Sequence, residues 1–181
     1  MGDSNNRLLS VNSGHIVRAA RESDLAAALA LVEAARAEVR GLDRIPELLE
    51  QVACGVSGEY DACIVELDGE CAGVGVYGLV AGTVGTAALY AVVVAKTAWQ
   101  AGTGRAIMAH IVTDLTSRGV RLVVAELPGH ESLSGYRLLL EEEGFVEESR
   151  VDDYYEDGIP LVQYRLELGR AGQAQAFGKP T

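Results

Sequence analysis

The chain has 181 residues, enough for one domain with a sizeable apolar core. Its formal net charge is −11, which argues against nucleic acid and against an anionic membrane surface as partners. The cysteines Cys54, Cys63 and Cys71 are an odd set without metal-ligand spacing. We therefore expect buried, reduced thiols in a cytoplasmic protein and no metal site.

Neither terminal segment has the sequence pattern of a packed helix or strand. Residues 1–13 lack the basic start and long apolar run of a signal peptide, and we expect a flexible segment there. Residues 169–181 are rich in Gly, Ala and Gln, which predicts a disordered tail. The uncharged stretch 71–95 is long enough to cross a bilayer, but each of its glycines would cost a helix about 1 kcal/mol. We therefore predict two strands there and no membrane segment.

The first half of the folded part is predicted to form one strand, two helices and a hairpin. Ser23 is placed as an N-cap, and Pro46 suits the start of the second helix. Asp68-Gly69, between two β-rich runs, is a strong signal for a two-residue hairpin turn. The predicted elements are a strand at 15–20, helices from Ser23 to Gly41 and from Pro46 onward, and strands at 62–67 and 71–76.

The stretch from Leu89 to Leu127 predicts a strand–helix–strand crossover. A buried β-branched run is followed by apolar residues at helical spacing and, after Gly119, by a second strand-like run. The two strands of such a crossover are parallel neighbours, so the sheet is mixed. A helix from about Ser132 to Glu142 and strands at 146–151 and 161–168 are predicted to follow.

Gly102-Thr103-Gly104 opens the crossover helix, where unpaired backbone N–H groups and the helix dipole favour an anion. A P-loop is excluded because no Lys and hydroxyl residue follow the second glycine. A dinucleotide-binding fingerprint is excluded because Ile107 stands where a third glycine is needed.

These motifs resemble the GNAT superfamily of acyl-CoA N-acyltransferases. A strand ending at Val94 leads into a turn similar to the family's (Arg/Gln)-x-x-Gly-x-Gly/Ala motif, with Trp99 where Arg or Gln is usual. Gly144-Phe145 after the late helix is a second landmark. The resemblance covers about residues 14–168 and implies a single α/β domain, with a mixed twisted sheet flanked by helices on both faces.

The resemblance implies transfer of an acetyl or other short acyl group from acetyl-CoA, or another acyl-CoA, to the primary amine of a small molecule by direct attack. A catalytically weak acyl-CoA-binding module, serving as a sensor or subunit, and a protein N-acetyltransferase stay open as alternatives, as does a homodimer. The implied cofactor-binding residues are Val92, Val93, Val94, Trp99, Gln100, Ala101, Gly102, Thr103, Gly104 and Arg105.

The reaction needs a base, because an amine of pKa about 10.4 is almost wholly protonated at pH 7. Glu126 is the candidate, since it ends the strand beyond the crossover helix, where ligands gather in such sheets. Many family members carry a tyrosine four residues before the glycine of Gly-Phe, and this chain has Leu140 there. Tyr136, one turn earlier on the same helical face, is the candidate acid. The candidate acceptor-binding residues are Tyr90, His130, Asp153, Tyr154 and Tyr155, with Arg40, Asp43 and Arg44 in the loop after the first helix.

Overall fold

The computed structural model describes residues 9–12, 15–55 and 59–169. The strands are β1 Leu9–Asn12, β2 His15–Ala19, β3 Tyr60–Leu67, β4 Glu70–Leu79, β5 Thr86–Val94, β6 Leu122–Pro128, β7 Val146–Glu156 and β8 Ile159–Glu167. The helices are α1 Leu25–Arg36, α2 Ile45–Ala53, α3 Thr103–Ser117 and α4 Ser134–Glu142. All eight strands form one sheet in the order β1-β2-β3-β4-β5-β6-β8-β7.

The sheet separates two apolar clusters, so each of its faces carries a pair of helices. Ile107 and Ile111 of α3 and Leu140 of α4 belong to the cluster on one face. Val32 of α1 and Leu48 of α2 belong to the cluster on the other face. The predicted α/β domain with helices on both faces is confirmed.

The strand directions confirm the predicted crossover. β5 and β6 pair in parallel, with Thr86–Leu89 opposite Leu122–Ala125, and the other neighbouring strands of the described chain pair antiparallel. The hairpin between β3 and β4 turns at Asp68 (φ 54°) and Gly69 (φ 84°). Two consecutive positive φ angles are those of a type I′ turn, as Asp-Gly predicts.

The start of α1 corrects one prediction. Ser23 is not the N-cap, because it lies inside a short 3₁₀ turn, and α1 begins after Asp24. Asp24 accepts a hydrogen bond from the Arg21 backbone N–H (2.7 Å) and pairs with the Arg18 guanidinium (2.6 Å). Its carboxylate therefore organises this turn in place of the serine hydroxyl.

Element ends differ from the predictions in three further places. α1 ends at Arg36 instead of continuing towards Gly41, and Leu9–Asn12 form an edge strand inside the segment expected to be flexible. β7 continues to Glu156, so residues 153–155 lie on a strand. The predicted tail, except Gly169, and most of residues 1–13 lie outside the described residues.

Glycines on β4 bring α3 close to the sheet. A Cβ added at Gly75 would lie 2.6 Å from Ile107 Cγ2 and 2.9 Å from Ile111 Cδ1, and one added at Gly73 would lie 2.9 Å from Ile107 Cδ1. A side chain at Gly75 would therefore require Ile107 and Ile111, or α3 itself, to shift. These glycines fix the height at which the start of α3 stands above the sheet.

The cysteines occupy three different environments. Cys63 is fully buried, and burial raises the pKa of its thiol to about 12, so it stays protonated. Cys71 is half-buried, whereas Cys54 is exposed, so the expectation of buried thiols is wrong for Cys54. No group of three or more His, Cys, Asp or Glu side chains among the described residues could hold a metal ion. The helices of the described chain are all too short or too polar to span a bilayer.

Candidate functional site

A cleft opens where the two parallel strands diverge. β5 and β6 are paired only as far as Leu89 and Ala125. Beyond that point β5 stays paired with β4 up to Val94, while Glu126–Pro128 stay paired with β8. The space between them is a cleft of about 730 Å³ that also contacts the α1–α2 loop, the start of α3 and α4.

A β-bulge at Tyr90 sets the orientation of the strand along this cleft. Val76 pairs with Ala91 and Tyr77 pairs with Leu89, so Tyr90 is the extra residue. Tyr90 and Ala91 both pack towards α1 and α2, whereas Val92 packs towards α3. The bulge thereby places a tyrosine side chain in the cleft.

Backbone groups of β5 face the cleft. The Ala95 N–H donates to the Ala72 carbonyl of β4 (2.9 Å). Because backbone groups alternate along a strand, those of Val93 also face β4, and those of Val92 and Val94 face the cleft. Of the three valines predicted from the resemblance, Val92 therefore offers its backbone N–H and carbonyl to a ligand. Val94 offers its N–H, because its carbonyl accepts a hydrogen bond from Trp99 Nε1 (3.0 Å).

The turn before α3 is held by unusual backbone angles and one buried hydroxyl. Gln100 (φ 61°) and Gly102 (φ 82°) adopt left-handed conformations, which glycine adopts without strain and glutamine does not. The Thr103 hydroxyl donates to the Ala98 carbonyl (3.2 Å) and contacts His15 Nε2 (3.0 Å). Among the described residues no side chain caps α3, so its first N–H groups stay available to an anion.

The basic side chains near this turn are paired with carboxylates. The Arg105 guanidinium binds Glu142 (2.7 Å) and Glu143 (3.2 Å), and Lys96 binds Glu38. Arg105 therefore holds α3 against α4 in this structure. Recognition of a diphosphate at this turn would rest on backbone N–H groups, which the turn provides.

Ionisable side chains gather at the other end of the cleft. The Glu126 carboxylate lines the cleft and accepts a hydrogen bond from Gln163 Nε2 (2.6 Å). Burial and the nearby Tyr60 raise the pKa of the Tyr90 phenol, which also lines the cleft. Arg40 of the α1–α2 loop pairs with Glu156 at the end of β7 (2.9 Å). This ion pair joins two separate segments of the chain beside the carboxylate.

Tyr136 and Leu140 take different places although both are on α4. Leu140 is fully buried in the core, so its side chain does not reach the cleft. Tyr136 lines the cleft, and its hydroxyl forms no hydrogen bond with another described residue. Burial raises the pKa of this phenol above its usual value, which keeps it protonated at neutral pH.

Several predicted residues lie outside the described lining of the cleft. His130 Nδ1 accepts the Ser132 N–H (3.1 Å) at the turn before α4, and Asp153 accepts the Gly158 N–H (2.7 Å). Tyr154 and Tyr155 form an edge-to-face pair on β7. The Tyr155 pKa is raised by burial, by Tyr154 and by the charge of Glu126, so its phenol lies near the cleft without lining it. The Ala101 side chain is likewise absent from the lining.

Of the cleft wall that α4 contributes, the sequence predicted only Tyr136. Helical spacing was the signal available to find the other positions, because residues three or four apart share one helix face. The additional residues lining the cleft here include Ser134, Leu138, Leu139 and Glu142 of α4 and Ser132 of the short turn before it.

Residues 30–138 match the family model described as the acetyltransferase (GNAT) family. No curated protein matches the chain. Among solved structures, one assigned to a GNAT-family acetyltransferase from Desulfovibrio desulfuricans is 29% identical, with a TM-score of 0.77 over 84% of this chain and 98% of that chain.

Two further structures share the fold at lower identity. The ribosomal-protein-S18-alanine N-acetyltransferase from Escherichia coli is 19% identical, with a TM-score of 0.71 over 90% of this chain and 99% of that chain. A Salmonella typhimurium structure described as an acetyltransferase with acetyl-CoA is 18% identical, with a TM-score of 0.72 over 91% and 99% of the two chains.

Proposed function

Because this chain belongs to the acetyltransferase (GNAT) family, we propose that it transfers an acetyl or other short acyl group from acyl-CoA to the primary amine of a small molecule. The observation that carries the proposal is the divergence of β5 from β6 beyond Leu89. It leaves backbone groups of Val92 and Val94 beside a cleft that has an anion-binding turn at one end and a carboxylate at the other.

The residues of the cleft fit an acyl-CoA. The backbone of residues 102–105 would hold the diphosphate, and Val92 and Val94 would hold the pantetheine arm and the thioester oxygen. The cofactor supplies a thioester carbonyl, which accepts the amine, and a thiolate, which leaves. A backbone N–H directed at the carbonyl oxygen stabilises the charge that develops there, and such a donor is typically worth about 10²–10³-fold in rate.

Glu126 is proposed as the general base. Its carboxylate lines the cleft, and the hydrogen bond from Gln163 Nε2 fixes its orientation while leaving acceptor capacity for the ammonium group of the acceptor. Removal of one proton from that ammonium group, directly or through a water molecule, produces the neutral amine. Tyr90 and Tyr155 border the same region.

Tyr136 is proposed as the proton donor to the leaving thiolate. Its phenol lines the cleft and has a raised pKa, so it carries a proton at neutral pH. A thiol of pKa about 8.5 is already a fair leaving group. The contribution of Tyr136 is therefore expected to be smaller than that of Glu126.

The Arg40–Glu156 ion pair favours a small acceptor. It joins Arg40, which lines the same cleft as Glu126, to Glu156 at the end of β7, and a small amine needs less room beside this bridge than a peptide does. The Glu126 carboxylate supplies a negative charge that attracts a positively charged amine. A peptide amine is the second candidate, because the structurally similar Escherichia coli protein acts on an alanine of a ribosomal protein.

The test measures thiol release from acetyl-CoA with diamines, amino acids and N-terminally free peptides. We expect release with small amines to exceed release with peptides. Faster thiol release with peptides than with small amines would overturn the small-molecule acceptor and favour a protein acceptor. Tight acetyl-CoA binding without release by any amine would favour the binding module, to which the burial of Leu140 away from the cleft already lends support.

A further inference from the structure

Trp99 stands at the nucleotide end of the cleft, and the roles proposed above leave its aromatic ring without a function. It lines the cleft beside Gln100 and Gly102, and 60% of it is exposed. It is also the one tryptophan of the chain. An exposed aromatic ring of this size beside a ligand cleft is a surface that a ligand can cover.

The indole ring is held in place before any ligand arrives. Its Nε1 donates to the Val94 carbonyl (3.0 Å), and its backbone N–H donates to the Lys96 carbonyl (3.3 Å). Ala98 is buried beside it and anchors the short turn. Because the polar edge of the indole is bonded within the protein, the exposed part is the apolar ring surface.

The neighbouring basic side chains already have partners. Arg105 and Lys96 are both paired with carboxylates, so a nucleotide phosphate would compete with these carboxylates for them. Backbone N–H groups and contacts that need no charge therefore carry a larger share of the affinity for the nucleotide. Stacking on an aromatic ring is such a contact, because every base presents a π-face.

We propose that Trp99 is the platform on which the adenine base of acyl-CoA stacks. This assignment rests on the proposed function, since it concerns the nucleotide portion of the same ligand. It gives Trp99 a role in affinity for the nucleotide and none in the chemistry of the thioester. The pantetheine arm is left with the Val92 backbone and the Val94 N–H, because the indole occupies the Val94 carbonyl.

The first experiment uses the intrinsic fluorescence of the full chain. With a single tryptophan, emission excited selectively at indole reports on Trp99 alone. Acetyl-CoA and adenosine 3′,5′-bisphosphate should both change this emission, and S-acetylpantetheine, which lacks the base, should change it much less. Free tryptophanamide titrated in parallel corrects for absorption by adenine.

The second experiment measures the dissociation constants of two variants by calorimetry. Trp99→Leu loses both the aromatic ring and the hydrogen bond to Val94, whereas Trp99→Phe loses only the hydrogen bond and part of the ring area. Stacking is typically worth enough to raise the Kd of acetyl-CoA about 5- to 150-fold in the leucine variant. The phenylalanine variant should lie between leucine and wild type. Both variants free the Val94 carbonyl, so the Kd of S-acetylpantetheine should change equally in both, and by much less than the Kd of acetyl-CoA rises in the leucine variant.

Each alternative result overturns either the stacking role of Trp99 or the proposed function. Acetyl-CoA that binds wild-type protein without altering the fluorescence, or that binds Trp99→Leu as tightly as wild type, overturns the stacking role alone. An equal loss of affinity for S-acetylpantetheine also overturns it, because the variant would then have distorted the turn. Absence of acetyl-CoA binding to the wild-type protein overturns the proposed function itself.

Discussion

The two ends of the cleft are built by different means. At the proposed nucleotide end, contiguous residues 99–105 provide backbone N–H groups and one aromatic ring, and the nearby basic side chains are paired with carboxylates. At the proposed acceptor end, polar side chains arrive from the α1–α2 loop, β5, β6 and α4 and lie among apolar neighbours. We therefore expect binding of the donor to depend on local conformation, and chemistry at the acceptor to depend on tertiary assembly.

The largest effect is expected at the acceptor end. Glu126→Gln keeps the shape of the side chain and a partner for Gln163 but removes the proton acceptor, so kcat should fall about 10²–10⁴-fold while the Kd of acetyl-CoA stays unchanged. Steady-state kinetics and calorimetry measure the two quantities. Glu131→Gln, on the short turn before α4 and outside the cleft lining, is the matched control and should keep the wild-type rate.

A smaller effect is expected for the phenol on α4. Tyr136→Phe should lower kcat by up to about 10²-fold, because an acid helps a thiolate of moderate basicity less than a base helps a protonated amine. Repeating the measurement with an acyl donor whose thiol is more acidic should shrink the defect. An equal defect with both donors would mean that Tyr136 only shapes the wall of the cleft.

The nucleotide end is tested by two glycines at opposite ends of α3. Gly102 (φ 82°) and Gly119 (φ 74°) both adopt left-handed conformations, and an added Cβ meets nothing within 4 Å at either position. Gly102→Ala and Gly119→Ala should each lower the free energy of unfolding by about 1–2 kcal/mol through backbone strain. Only Gly102→Ala should also raise the Kd of acetyl-CoA, by about tenfold.

Gly102 is preferable to Gly104 for this test. A Cβ added at Gly104 would lie 3.0 Å from Leu139 Cδ2, so a substitution there also presses on α4. Equal losses of acetyl-CoA affinity in Gly102→Ala and Gly119→Ala would contradict this expectation. The affinity would then fall because the whole protein is destabilised, and not because the backbone conformation at Gly102 has changed.

The smallest effect is expected on protein stability at high pH, from the buried Tyr77 outside the cleft. Burial is the main cause that raises the pKa of Tyr77, so the folded state retains its proton when the unfolded chain has lost it above about pH 10. This contribution to stability is complete below pH 10 and is lost as the pH rises further, at up to about 1.4 kcal/mol per pH unit. Denaturant unfolding of Tyr77→Phe between pH 7 and 11 should show a shallower alkaline decline than wild type. Tyr154→Phe, on the exposed surface of β7, should follow the wild type.

The features that depend on local residue types could be predicted from the sequence. The order of the elements, the parallel crossover, the Asp68-Gly69 hairpin and the glycine turn depend on local residue types and regular spacing, and the structure confirms them. The N-cap was placed one residue too early, because the choice between Ser23 and Asp24 is decided by a partner on β2, Arg18.

The acceptor end was harder to predict because its geometry depends on pairing between distant segments. The bulge that turns Tyr90 towards α1 and α2 exists only relative to β4, and nothing in residues 86–94 alone marks it. The Arg40–Glu156 pair joins residues more than a hundred positions apart. The exposure of Trp99 likewise could not be predicted from its residue type, because tryptophan is highly buried on average.

The glycines of β4 set the position of one wall of the cleft although they do not line it. Because Gly73 and Gly75 support α3 through Ile107, they determine the height of its first turn above the sheet. The N–H groups that would meet the diphosphate are therefore positioned by residues outside the binding site. Donor affinity is thus coupled to packing of the core, and a substitution at either glycine is expected to weaken cofactor binding without altering the proposed acid or base.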